Sequence, residues 1–256
     1  MVRTMEAIAP PPDVASTPRR LVRARQAWAD LALVLPLFVA YHHGVVLLDV
    51  RNAADPLTAE LLRLAEHHLF MYWLWTLGLG LGLVLVFSAL AGRAAFEPRR
   101  FFSLAVEAVV YALLMRAAAA AALGYLSLAA EAEGPGLTVG RPDAVAAGIV
   151  MSLGAGFYEE LVFRVGLVGG GLIAMKLFFG TLPRLALGVG WVLITALVFA
   201  GWHYVGPLAD AYHLQSFVFR AVCGLVLTVI FLVRGFAAAV WTHALYDIWA
   251  LVLVEL

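Results

Sequence analysis

Long, continuously apolar runs, separated by short polar stretches, constrain this chain more than any other feature. Spanning the roughly 30 Å of hydrocarbon in a bilayer takes about 20 helical residues. Seven runs approach or exceed that length: Trp28 to Val50, Phe70 to Leu90, Phe101 to Ala130, Ala144 to about Phe178, Leu185 to Tyr204, Gln215 to Val233 and Phe236 to Leu253. Of the 256 residues, 64% are hydrophobic and 13% charged, whereas a soluble domain carries about 25% charged residues. The runs lack the period-two alternation of a barrel strand, and backbone groups in lipid must be satisfied within their own segment. The expectation is an all-α, polytopic transmembrane bundle of about seven spans. An eighth is possible if the long fourth segment breaks after Arg164, near Gly169-Gly170-Gly171, where glycines weaken a helix.

The charges orient this bundle. Net charge is zero, so no basic excess points to nucleic acid. With seven spans, one side collects Arg3, Arg19, Arg20, Arg23, Arg25, Arg93, Arg99, Arg100, Lys176, Arg184 and Arg234, and the other only Arg51, Arg63 and Arg141. The richer side is expected in the cytoplasm, with the N-terminus inside and the C-terminus outside. Residues 1–26, with Pro10-Pro11-Pro12 and the basic set Arg19, Arg20, Arg23 and Arg25, are too polar and Pro-rich to bury much surface and read as a disordered cytoplasmic tail. No apolar stretch with a cleavage site precedes the first run, so that run is expected to be the membrane anchor rather than a removed signal. Residues 27–142 then hold the N-terminal transmembrane helices and 143–256 a transmembrane core. Between the first two spans, Leu57, Leu61, Leu62 and Leu64 alternate with Glu60, Arg63 and Glu66, which predicts a short amphipathic helix on the outer surface.

Charges inside apolar runs are costly, and they mark function by default. The sequence Glu159-Glu160-Leu161-Val162-Phe163-Arg164 places three of them in the fourth span. Glu160 and Arg164 are four apart, share a helix face and can pair. Glu159 lies about 100° around the helix, which leaves it as the carboxylate free to act on water. His203 shares a face with Phe199 near the end of the fifth span, and His243 shares one with Asp247 in the seventh. Imidazoles holding a water beside a carboxylate form the general-base arrangement that hydrolysis requires. Asp247 would either orient His243 or, protonated, donate to a developing oxyanion.

The remaining intramembrane polar groups read more simply. Arg220 is expected either to pair with Glu159 or Glu160 or to meet a substrate carboxylate. Glu107 and Arg116, nine apart on opposite faces, cannot pair with each other and are expected to reach the two interfaces. The pairs His42-His43 and His67-His68 read as interfacial histidines, and most tryptophans as an aromatic belt. The single cysteine, Cys223, forms no internal disulfide and reads as a small packed or lipid-facing side chain.

Three elements in order, Glu-Glu-x-x-x-Arg at 159–164, Phe-x-x-x-His at 199–203 and His-x-x-x-Asp at 243–247, resemble the CPBP family, also called the Abi or type II CAAX prenyl endopeptidase family. The resemblance covers about residues 143 to 250 and includes Ala244-Leu245-Tyr246-Asp247 after His243. It implies a glutamate-type intramembrane endopeptidase, a multi-pass protein of a bacterial inner membrane that cuts a membrane-associated protein near its C-terminal segment. Glu159 would activate water with His203, while His243 and Asp247 would stabilise the oxyanion. Asp247 stands where the family often has Asn. Glu160, Arg164, Phe199 and Arg220 are supporting residues.

No cofactor is expected. A second enzyme reading has Glu159, His203 and His243 hold a zinc ion with an open fourth position, although no His-Glu-x-x-His occurs. A third is not enzymatic: a membrane immunity factor, receptor or transporter that uses the charged cluster to bind a partner or move protons.

Overall fold

In the computed structural model, described over residues 19–91, 98–126 and 142–250, every regular element is helical, and no strand occurs among the described residues. Helix α1 (Arg19–Leu47) is followed by α2 (Leu57–Leu64), α3 (Leu69–Ala91), α4 (Pro98–Tyr125) and α5 (Pro142–Gly154). A π-helical stretch (Ala155–Gly169) continues into α6 (Gly170–Phe178), and α7 (Thr181–Trp202), α8 (Leu214–Arg234) and α9 (Phe236–Ile248) complete the described elements. Six helical stretches are long and apolar enough to cross a membrane. Together with α9 they fit the expected bundle of about seven spans.

Helix α9 sits at the centre. Ala237, Ala238, Ala239, Val240 and Ala244 are almost inaccessible and pack against Val34 and Leu37 of α1, Met115 and Ala119 of α4, and Leu227 and Ile230 of α8. Lipid tails are as apolar as leucine, so association of helices in a bilayer rests on close packing, and small residues let the backbones approach. The large apolar side chains of α3 and α4 point outward instead, among them Phe70, Leu81, Leu85, Phe102, Val106 and Leu114. Such a surface suits lipid and would be an aggregation hazard in water.

Two boundaries differ from the sequence expectation. Helix α1 begins at Arg19, inside the stretch read as tail, while residues 1–18 lie outside the described residues. Once an apolar run has nucleated a helix, each added residue gains a hydrogen bond at little further cost, and residues 19–26 contain no Gly or Pro to stop it. The fourth segment does not break. Gly169 and Gly170 keep right-handed helical dihedrals, φ −62 ψ −48 and φ −59 ψ −45, so neither a re-entrant piece nor an eighth crossing forms there. Gly171 serves packing: a Cβ there would stand 2.1 Å from Trp191 Nε1, and that indole donates to the Leu167 carbonyl at 2.9 Å. The expected ends of the third and seventh spans, Ala130 and Leu253, lie outside the described residues.

A second core, polar at its heart, joins α1, the α1–α2 loop and the π stretch through Phe38, Tyr41, Val45, Ala54 and Tyr158. Here His42 is fully buried, not interfacial, with Nδ1 2.6 Å from Tyr72 Oη and Nε2 2.5 Å from Tyr158 Oη. Two hydroxyls satisfy both ring nitrogens, which removes the cost of burying them. His43 stacks on Trp73, while His67 and His68 are exposed as expected.

The expected amphipathic helix is α2. It turns Thr58 inward and leaves a Glu60–Arg63 pair exposed. Glu107 and Arg116 do not meet each other, and each finds a partner on another element. Glu107 accepts from Arg234 at 2.5 Å, and the Arg116 guanidinium lies 4.7 Å from the centre of the Trp249 ring. A partner on a neighbouring helix offsets the desolvation that a lone charge would suffer.

Candidate active site

The π winding decides how the glutamate pair is presented. Hydrogen bonds from i to i+5 fit more residues into each turn than an α-helix does, so neighbouring side chains diverge by less than about 100°. Both Glu159, 6% exposed, and Glu160, 0% exposed, therefore face the interior.

Glu160 is held on two sides. Its Oε1 lies 3.1 Å from Arg164 Nη1 and 2.7 Å from His243 Nδ1. Arg164 is only 1% exposed; its Nη2 donates to the Gly224 carbonyl at 3.3 Å, and its guanidinium lies 4.3 Å from the centre of the Phe199 ring. The expected ion pair thus exists with a third member from α9.

Glu159 is arranged differently. Asn52, from the α1–α2 loop, donates Nδ2–H to Glu159 Oε1 at 3.0 Å. Glu159 Oε2 is buried and accepts no hydrogen bond among the described residues. It lies 3.9 Å from His203 Nε2 and 3.9 Å from His243 Nε2. His203, at the C-terminal end of α7, bonds through Nδ1 to the Phe199 carbonyl at 3.0 Å. A carbonyl only accepts, so Nδ1 carries the hydrogen, and a neutral ring presents the Nε2 lone pair toward Glu159. His243 Nε2 also lies 3.4 Å from Asp247 Oδ2. The Phe199 ring stands edge-on to both imidazoles, at centroid distances of 5.2 and 5.9 Å.

These groups line one cavity of about 370 Å³, bounded also by Arg51, Asn52, Asp210 and Arg220. Its walls bring the end of α7, with His203, to the level of the π stretch. Close approach of α9 makes this possible. A Cβ on Gly156 would fall 2.7 Å from Ala244 Cβ and 2.8 Å from the Val240 carbonyl oxygen, so only glycine leaves room there for α9 to carry His243 to Glu160.

Two expectations change. Arg220 pairs with neither glutamate: its Nη2 donates to Asp210 Oδ2 at 2.5 Å, and it lies 5.3 Å from the centre of the Tyr204 ring. The glutamates already have Asn52, Arg164 and His243, and Asp210 is the carboxylate that the α7–α8 loop brings within reach. The bond that orients His243 through Nδ1 comes from Glu160 rather than from Asp247, which lies near the other ring nitrogen. Asn52 was not anticipated, and a lone Asn in the polar link Asp49 to Pro56 carries no signal that would have singled it out.

With this geometry in view, residues 141–249 match the family model described as type II CAAX prenyl endopeptidase Rce1-like. That segment is Rce1-like. The chain matches no curated protein and no solved structure. The Rce1-like segment contains Glu159, Glu160, Arg164, Phe199, His203, Arg220, His243 and Asp247, whereas Asn52 lies outside it. The match implies an intramembrane CAAX-type endopeptidase, and the six apolar helices an integral, multi-pass membrane protein.

Proposed function

We propose that this chain is a glutamate-type intramembrane endopeptidase in which Glu159 is the general base. The observation that carries the reading is the position of Glu159 Oε2, buried without a donor and 3.9 Å from Nε2 of both His203 and His243 at the edge of the cavity. That separation is too long for a hydrogen bond and suits a shared water, about 2.8 Å from each heavy atom. Glu159 takes a proton from the water as its oxygen attacks the scissile carbonyl, and His203 holds the water in line. His243, its ring fixed by Glu160 and with Asp247 beside Nε2, stabilises the oxyanion. Glu159 then returns the proton to the leaving amine. Positioned proton transfer of this kind supplies roughly 10²- to 10⁴-fold in rate.

The substrate is a membrane-associated protein cut near its C-terminal segment. Arg51 and Asp210, which line the cavity, belong to the α1–α2 and α7–α8 loops, and the excess of basic residues on the opposite side supports an exterior opening with the N-terminus inside. The test is Glu159→Gln. Trimmed C-termini present in cells with the wild-type chain should be lost with this variant at equal protein level, and wild-type trimming by the variant would overturn the assignment.

The same three atoms are the donor set of the zinc reading. Donors 2.0–2.2 Å from a tetrahedral zinc lie roughly 3.4 Å apart, nearer than the 3.9 Å between Glu159 Oε2 and each imidazole nitrogen. That wider spacing favours the metal-free mechanism, which chelation tests.

A further inference from the structure

Outside the Rce1-like segment, the α1–α2 loop brings one buried side chain, Asn52, directly onto the proposed base. We infer that Asn52 is a positioning residue for Glu159, so that the working site includes a part of the chain beyond residues 141–249. The inference rests on the general-base reading of Glu159.

The two oxygens of Glu159 are made unequal by Asn52. Its Nδ2–H donates to Oε1 at 3.0 Å, while Oε2 is left facing the two imidazoles. A carboxylate with one oxygen anchored cannot rotate its free oxygen away from the water without breaking that bond. The donor also offsets part of the cost of a buried negative charge.

The loop is built to hold this amide still. Asn52 Oδ1 accepts from Ala54 N at 2.8 Å, an Asx turn that uses the other end of the same amide. Asn52 N donates to Tyr41 Oη at 3.1 Å, and Tyr41 Oη donates to Asp55 Oδ2 at 2.8 Å. Asp55 also accepts from the Leu57 and Thr58 backbone at the start of α2 and from the Thr58 hydroxyl. Asn52, Tyr41, Asp55 and Thr58 are all buried. A polar network with every member satisfied rigidifies what it contains, and here its free end points at Glu159.

Asn52→Ser separates positioning from loop structure, because the serine hydroxyl still accepts from Ala54 N, is too short to donate to Glu159 and brings no second anion beside it. The experiment uses the full chain in lipid nanodiscs and a quenched-fluorescence farnesylated peptide with a CAAX-type C-terminus as probe. The expected result is a fall in kcat of about a hundredfold, as a misplaced catalytic group produces, with KM within about threefold of wild type and an unchanged melting temperature. Wild-type kcat in Asn52→Ser, with Glu159→Gln inactive, would overturn the positioning role and leave the general-base reading intact. Cleavage by Glu159→Gln, or none by the wild type, would overturn that reading and this inference with it. Should Asn52→Ser fail to fold, Tyr41→Phe keeps the ring in the core and releases only the network. There kcat should fall about tenfold at unchanged KM, and wild-type kcat would overturn the proposal.

Discussion

His243 Nδ1 lies 2.7 Å from Glu160 Oε1, so the second glutamate of the pair, rather than Asp247, orients the ring whose Nε2 faces Glu159. The same Glu160 oxygen meets Arg164 at 3.1 Å. One buried carboxylate oxygen thus joins structure to chemistry, and the two glutamates should fail in different ways when changed.

Glu160→Gln leaves the Arg164 cation buried without its counter-charge. Breaking a buried pair from one side costs about 3–5 kcal/mol. The variant is expected to lose most folded protein and its activity together. Thermal unfolding in detergent checks this, and a melting temperature equal to wild type would contradict the role given to the pair.

Glu159→Gln should behave oppositely, because the glutamine keeps an oxygen for Asn52 Nδ2–H and no cation depends on its charge. Stability should stay within about 1 kcal/mol, while turnover falls about 10²- to 10⁴-fold. Parallel melting and cleavage assays read both. An immunity factor or receptor would keep its biological activity in this variant.

His203→Ala should also spare the fold. Its Nδ1 bonds within its own helix, to Phe199, and its side chain is 23% exposed. The expected change in stability is under about 1.5 kcal/mol, the worth of one hydrogen bond, with a loss of activity of about a hundredfold or more. Retained activity would leave His243 as the sole imidazole needed.

Gly156→Val tests the helix contact that assembles the site. Its side chain would press on the Val240 carbonyl and the Ala244 backbone, groups that cannot turn aside, and overpacking of this kind costs about 1–3 kcal/mol. Activity should be lost as α9 is pushed away. Gly170→Ala is the control: nothing lies within 4 Å of the added Cβ, and a helical glycine replaced by alanine should gain up to about 1 kcal/mol.

Chelation separates the two hydrolytic mechanisms. Incubation with 1,10-phenanthroline followed by removal of the chelator should leave cleavage unchanged, and elemental analysis should find less than stoichiometric zinc. Zinc at one per chain, with activity lost on its removal and restored on its return, would replace the water-activating role of Glu159 with metal ligation.

The apolar runs alone foretold an all-helical membrane bundle, because the length and continuity of a span are local properties that hydrocarbon imposes on any chain. The i to i+4 spacings likewise predicted that Glu160 reaches Arg164 and that His243 lies beside Asp247, both contacts within one helical segment. What crosses between segments was not legible. His42 between two tyrosines, Arg220 turned to Asp210, and Asn52 on Glu159 each depend on which distant helix or loop arrives next to them, and residue type says nothing about that arrival. The π winding also had no signature, since hydrophobic pattern cannot distinguish i+4 from i+5 hydrogen bonding over so short a stretch. Composition and spacing therefore determined the kind of fold and supplied the reactive side chains. Tertiary packing alone decided their partners, because a hydrogen bond acts over about 3 Å, a distance only the folded chain can set between residues a hundred positions apart.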